Sequence, residues 1–175
     1  DKISRGDFMF KVAIITLSDK GYEGKREDLT GAKLKDYVQN TGLYEVVHYK
    51  MIKDDKEMLI NELIDICDNY KADLVLTNGG TGFSKRDITP EGTKCVIERE
   101  IPGISEYMRM KSSEITKKAI LSRGISGIRK SSIIINLPGS PKGAVENLSF
   151  VIDTLDHGIE ILRGDATECA TSLKK

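Results

Sequence analysis

Residues 11–17 read Lys-Val-Ala-Ile-Ile-Thr-Leu, a short and nearly continuous apolar run rich in β-branched side chains. A strand with one wet face alternates apolar and polar residues, so an unbroken run predicts a strand covered on both faces, as in a parallel sheet. Similar runs recur at 73–77 and at 132–137, the latter reading Ser-Ile-Ile-Ile-Asn-Leu, while residues 44–52 predict a strand of mixed polarity. Between the strands the apolar period lengthens to that of a helix. Over 54–69, Leu59, Leu63 and Ile66, with Ile60, Ile64 and Cys67 beside them, make one stripe. Helices are also expected over 28–40, ending near Gly42, and over 89–100 and 104–116. Residues 119–130, broken by Gly124 and Gly127, read as irregular chain or short strand. A long last helix follows Pro138-Gly139-Ser140-Pro141, with Ala144, Leu148, Val151, Leu155, Ile159 and Leu162 on one face.

Strands alternating with helices across short connections mean right-handed βαβ units. The expected class is α/β, with three layers: a mostly parallel central sheet and helices on both of its faces. Ligands of such sheets sit outside the carboxyl ends of the strands, so the loops that follow strands are the ones to inspect. No internal repeat, linker or low-complexity tract divides the chain. Residues 9–175 are expected to form a single domain, with Met9 as the natural start and 1–8 as a leader or vector-derived remnant.

Composition narrows the function classes. A 175-residue chain buries roughly 70% of the surface its unfolded form exposes, enough for a core without staples. Lys plus Arg equals Asp plus Glu at 27 each, so no net field attracts nucleic acid or an anionic membrane, and an anion site must arise from local geometry. Cys67, Cys95 and Cys169 are odd in number and widely spaced, which suits a reducing compartment and argues against a disulfide framework or a zinc site. The cytoplasm is the natural reading of that cysteine pattern; separately, no apolar run approaches the roughly 18 residues of a membrane span.

Four strand-end loops carry candidate chemistry: 16–19, 53–55, 78–89 and 138–140. In the third, Gly79-Gly80-Thr81-Gly82 places three glycines in four positions, either as a tight turn or as a cradle whose N–H groups converge on an anion. Neither G-x-x-x-x-G-K-[ST] nor G-x-G-x-x-G is present, so the site is of another kind. Arg86-Asp87 follows, just before Thr89, the expected helix cap, and Pro90. Asp87 can act on the helix dipole alone, but with Arg86 and a glycine cradle beside it, phosphate held with a divalent metal is the stronger reading. Asp54 to Glu57 has capping-box spacing with Asp54 as the cap, a sufficient structural role by itself. Ser140 caps the last helix, whose N-terminus offers a second anion site. Ser18 and Asp19 either close a pocket or form a surface turn. His48 and His157 read as packing or surface residues, and Lys111 to Lys118 as a solvated helix face.

The ordered segments GGTGFSKRDITPEGTK, EREIPG, ILSRGISGIRK and INLPGSPKG resemble those of the molybdopterin adenylyltransferases, including the G domain of gephyrin and its plant counterpart, over residues 10–164. That resemblance implies a molybdopterin-binding-like fold, a homotrimer, and transfer of AMP from ATP to the terminal phosphate of molybdopterin with release of pyrophosphate, magnesium being required. It puts the two key carboxylates, and the magnesium, on Asp54 and Asp87. The nucleotide cradle falls on Gly79, Gly80, Thr81 and Gly82, and the PGS turn on Pro138, Gly139 and Ser140. Ser18, Asp19, Arg86, Thr89 and Ser122 complete the expected binding residues, with Arg123 in the same shared motif as Ser122. A molybdenum-insertion enzyme is the implied downstream partner. The family usually has Pro before the first carboxylate, where this chain has Lys53. A non-catalytic molybdopterin-binding or scaffold protein of the same fold is the alternative.

Overall fold

The computed structural model describes residues 9–164. Its elements are β1 (Phe10–Leu17), α1 (Asp19–Tyr22), α2 (Leu29–Asn40), β2 (Tyr44–Ile52), α3 (Lys56–Asp65), β3 (Leu74–Asn78), α4 (Thr89–Val96), β4 (Arg99–Glu100), α5 (Pro102–Ser113), β5 (Ser126–Arg129), β6 (Ser132–Leu137) and α6 (Pro141–Arg163). A π-turn at Ile66–Tyr70 prolongs α3, and a 3-10 turn spans Lys117–Leu121. Among these residues the six strands form one sheet in the order β2-β1-β3-β6-β5-β4. The first four are parallel, and β5 and β4 add an antiparallel edge.

The continuous apolar runs divide by parity, as a doubly covered sheet requires. Val12, Ile14, Leu74, Leu76, Ile133 and Ile135 face one layer, packed against Leu34 and Val38 of α2, Met108 of α5 and the stripe Ala144, Leu148, Val151, Leu155 and Ile159 of α6. Ala13, Ile15, Val75 and Ile134 face the other, against Leu59 and Leu63 of α3, Ile66 and Cys67 of the π-turn and Val96 of α4. The expected three layers are therefore present. Burial pushes the Cys67 thiol up to about 11, so this cysteine is a small core hydrophobe.

Local details differ from the sequence expectations. The helix expected over 89–100 stops at Val96, because Ile97 turns extended and Arg99–Glu100 pairs with β5. Its N-cap is Ile88, not Thr89, which lies in the first turn with its side chain buried. Asp55, not Asp54, caps α3, accepting from Met58 N at 2.9 Å. His48 bonds Glu62 at 2.8 Å and packs on Tyr70, a packing histidine as expected. Cys169 lies outside the described residues. No helix among them is long and apolar enough to cross a membrane.

Sheet order reverses direction at β1, whose neighbours are β2 on one side and β3 on the other. The carboxyl ends of β1 and β3 meet there, Thr16 pairing with Asn78. That is the switch point at which an open α/β sheet leaves a crevice.

Candidate active site

Chain direction alone brings the four strand-end loops to one edge of the sheet. Their contacts then lock them together. Gly79 (φ +92°) and Gly80 (φ +70°) turn the chain after β3 through left-handed conformations that favour glycine. The turn is wedged: a Cβ on Gly79 would stand 2.5 Å from Leu17 O, and one on Gly139 would stand 3.3 Å from Gly79 Cα. Gly79 N donates to Leu137 O at 3.2 Å, tying the turn to the end of β6. From below, the buried Thr89 hydroxyl donates to Gly79 O at 2.8 Å, and Thr89 N to Gly80 O at 3.1 Å. Thr89 thus supports the glycine turn from beneath.

Asp19 and Asp54 pair reciprocally across two loops. Asp19 N donates to Asp54 Oδ2 and Asp54 N to Asp19 Oδ1, both at 3.1 Å. Because Asp55 has taken the helix cap, the Asp54 carboxylate is left for this contact and stands against Gly80, where a Cβ would be 3.5 Å from Oδ1. Lys53, in place of the family's proline, lays its ammonium 5.1 Å from the centre of the Tyr22 ring and so pins the same loop to α1. Arg86 completes the constellation with a two-pronged grip on Asp19, Nε to Oδ2 at 3.0 Å and Nη2 to Oδ1 at 2.8 Å. Ser18 is the N-cap of α1, accepting from Gly21 N at 3.0 Å.

Opposite electrostatic settings follow for the two aspartates. The Arg86 guanidinium holds Asp19 below the usual carboxylate range. Asp54 is pushed up, first by burial and then by the neighbouring Asp19 and Asp87 carboxylates. Negative charge is concentrated at Asp54 without a direct cationic partner, an environment that a bound cation would relieve. Among the described residues no three Cys, His, Asp or Glu side chains gather as a ready-made metal cage. Magnesium, however, is commonly held by one or two carboxylates with substrate phosphates and water, and the Asp54 and Asp87 oxygens fit that pattern.

Asp87 has a role that the sequence did not reveal. Its Oδ2 accepts from Ser84 N at 2.9 Å while its own N–H donates to Ser84 O at 3.0 Å, closing residues 84–87 on themselves. The carboxylate leans on Gly82, where a Cβ would be 2.8 Å from Oδ2. Asp87 also lines an open depression with Lys56, Phe83, Ser84, Lys85, Ile88, Glu91 and Arg123.

Beside the glycine turn, at the switch point, lies a cleft of about 560 Å³. Ser18, Gly139 and Ser140 line it, together with Thr16, Leu17, Gly21, Arg26, Asp28, Thr30, Met51 and Asn78. Its polar wall is a relay: Asn78 Nδ2 donates to Thr16 Oγ1 at 2.9 Å, Thr16 Oγ1 donates to Asp28 Oδ2 at 2.7 Å, and Tyr49 OH donates to the same oxygen. Burial, then the Asp28 contact, pushes Tyr49 up to about 12, so it remains a donor. Thr30 bonds Gly139 O at 2.7 Å, and Ser140 caps α6 through Gly143 N at 3.1 Å. The part of Asp28 and Thr30 was missed by sequence reasoning, although Asp28 before Leu29-Thr30-Gly31 is a legible cap. Ser122 stands away from this cleft: its hydroxyl accepts from Gly124 N at 3.3 Å and its carbonyl faces Arg109. Thr81 is buried with its carbonyl on Arg123 N, and Pro138 packs near Gly143.

Residues 13–157 match the family described as "Probable molybdopterin binding domain". A molybdopterin adenylyltransferase of Helicobacter pylori (strain J99) is 39% identical over 155 residues, 88% of either chain. That of Escherichia coli (strain K12) is 36% identical over 85% of this chain and 79% of its own. Among solved structures, the molybdopterin biosynthesis enzyme MoaB from Thermus thermophilus is 43% identical with a TM-score of 0.84, covering 89% of this chain and 98% of that one. On the strength of these matches and of a sheet whose glycine turn, paired aspartates and PGS turn meet at one edge, the chain belongs to the molybdopterin-binding family of molybdenum cofactor biosynthesis.

Proposed function

We propose that this chain is a molybdopterin adenylyltransferase, a nucleotidyltransferase that joins AMP from ATP to the terminal phosphate of molybdopterin. In the reaction a phosphate oxygen of molybdopterin bonds to the α-phosphorus of ATP, the bond from that phosphorus to the β-phosphate bridging oxygen breaks, and pyrophosphate leaves with the electron pair. The observation that carries this reading is the joining of loops 16–19, 53–55 and 78–89 through the Asp19, Asp54 and Arg86 contacts around the glycine turn.

Each part has a physical task. With Gly79 N engaged by Leu137 O, the amides of Gly80, Thr81 and Gly82 donate to phosphate oxygens, and the α6 N-terminus behind Gly139 and Ser140 favours a second anion. Asp54 and Asp87 hold magnesium, which when bound offsets the charge on the polyphosphate. Arg86, free to exchange Asp19 for phosphate, adds a cation at the rim. The attacking phosphate is already largely ionised at neutral pH, so positioning and electrostatics carry the rate and no general base is required. The free cysteines, Cys67 buried and Cys95 exposed, suit a cytoplasmic enzyme. A homotrimer that passes its product to a molybdenum-insertion enzyme completes the proposal.

Asp87→Ala is expected to abolish magnesium-dependent formation of adenylylated molybdopterin, by about 10²-fold or more, while circular dichroism and the thermal midpoint stay near wild type. An undiminished rate in a folded variant would remove Asp87 from the mechanism.

A further inference from the structure

Arg123, from the segment between the 3-10 turn and β5, reaches the glycine loop from behind with every part of its head group engaged. Its backbone N–H donates to Thr81 O at 3.0 Å. Its Nε donates to Gly82 O at 2.7 Å and its Nη2 to Asp87 O at 2.8 Å, while Nη1 pairs with Glu91 of α4. The two carbonyls lie at opposite ends of residues 82–87, whose middle is exposed, Phe83 at 72%. Little packing fixes that loop. What spans it is the planar guanidinium fork, a geometry that an ammonium cannot reproduce.

The fork itself is braced. Arg109 of α5 donates through Nη1 to Gly124 O at 2.7 Å and to Ser122 O at 3.4 Å, gripping the residues on either side of Arg123. Support therefore runs from α5 through the 122–124 segment to the glycine loop and Asp87.

We propose that Arg123 is a positioning residue for the adenylyl transfer, fixing Asp87 and the amides of residues 80–82 through the Gly82 and Asp87 carbonyls. This rests on the transferase reading given above. With Nε, Nη1 and Nη2 each bonded to a protein oxygen, Arg123 acts on the reaction through the loop that it holds. Release of the two carbonyls lets the carboxylate and the amides drift together, and a displacement of about 1 Å can cost about 10²-fold in rate.

Arg123→Lys retains the charge and removes the fork. The expected result is a fall of at least about tenfold in kcat with KM for ATP within about threefold, and faster hydrogen exchange at residues 81–88 with β1, β3 and β6 unchanged. In Arg123→Ala, millimolar methylguanidinium restores part of the rate and methylammonium does not. Turnover of Arg123→Lys within about twofold of wild type, a change confined to KM, or unaltered exchange at 81–88 overturns the proposal. Should both variants fail to fold, the wild-type chain decides: slow exchange of the Arg123 Nε proton by NMR supports the clamp, and exchange at the rate of a solvated arginine refutes it. If wild-type protein releases no pyrophosphate from ATP and molybdopterin, the transferase reading fails, and the exchange measurements judge the clamp alone.

Discussion

Gly79→Ala puts a single methyl group at the most constrained point of the site. Two costs combine there. The residue sits at φ +92°, and placing an L side chain in left-handed backbone costs about 1–2 kcal/mol. The new Cβ would also stand 2.5 Å from Leu17 O, inside the 3.0 Å that Cβ contacts respect. Leu17 O is backbone, so no rotamer change relieves the contact. Retreat in the other direction is blocked by Gly139, packed against Gly79. Overpacking of this kind costs about 1–3 kcal/mol, which makes a total of about 2–5 kcal/mol. Urea unfolding followed by circular dichroism measures the loss, and calorimetric titration with ATP and magnesium measures the damage to the cradle. The control is Gly103→Ala, where nothing lies within 4 Å of the new Cβ; in the first turn of α5 it is expected to be neutral or mildly stabilising. A Gly79→Ala chain as stable as wild type, or one that binds ATP equally well, would refute the wedged-turn argument.

Asp54 should trade stability for activity. Its folded-state pKa is raised by burial and like charges, so its ionisation withdraws stability as pH rises through the carboxylate range. Asp54→Asn is therefore expected to melt higher than wild type at pH 7 and to lose transferase activity. The stability gain should vanish below about pH 4, where the wild-type carboxyl is itself protonated. Asp19, lowered by Arg86, acts in the opposite sense: its contribution is present above the ordinary carboxylate range and lost as pH falls through its folded-state pKa. Elsewhere, a Cβ on Gly92 of α4 would lie 2.8 Å from Leu59 Cδ2. Gly92→Ala should cost about 1–3 kcal/mol and Leu59→Ala about 2–5 kcal/mol, and the double variant should cost less than their sum by about 1 kcal/mol or more. Additive values from urea unfolding would remove the proposed contact.

The elements with strong periodicity were legible in the sequence. The strand expected over 132–137 is β6 residue for residue, and the mixed strand over 44–52 is β2. Helix ends were less legible where a distant partner decides them. Ile97 leaves the α4 pattern because β5 offers Arg99–Glu100 a partner nearly thirty residues away in sequence. Capping-box spacing favours Asp54, with Glu57 three residues on, yet Asp55 takes the cap and the Asp54 carboxylate accepts from the backbone of Asp19, on another loop. Nor could local pattern reveal the polar wall of the cleft. Thr16, Asp28 and Asn78 of that wall, and Tyr49, which bonds Asp28, belong to four separate elements or caps, and the register of the sheet assembles them. The glycine turn, by contrast, was visible as composition. Its wedging between Leu17 and Gly139 was not, since that depends on which strands are neighbours.

The most direct measurement incubates purified wild-type protein with molybdopterin, ATP and magnesium, following pyrophosphate and the pterin product by mass. Adenylyl transfer predicts pyrophosphate and adenylylated molybdopterin in equal amounts, both dependent on molybdopterin. Tight pterin binding without either product would contradict the transferase and identify a non-catalytic member of the same family.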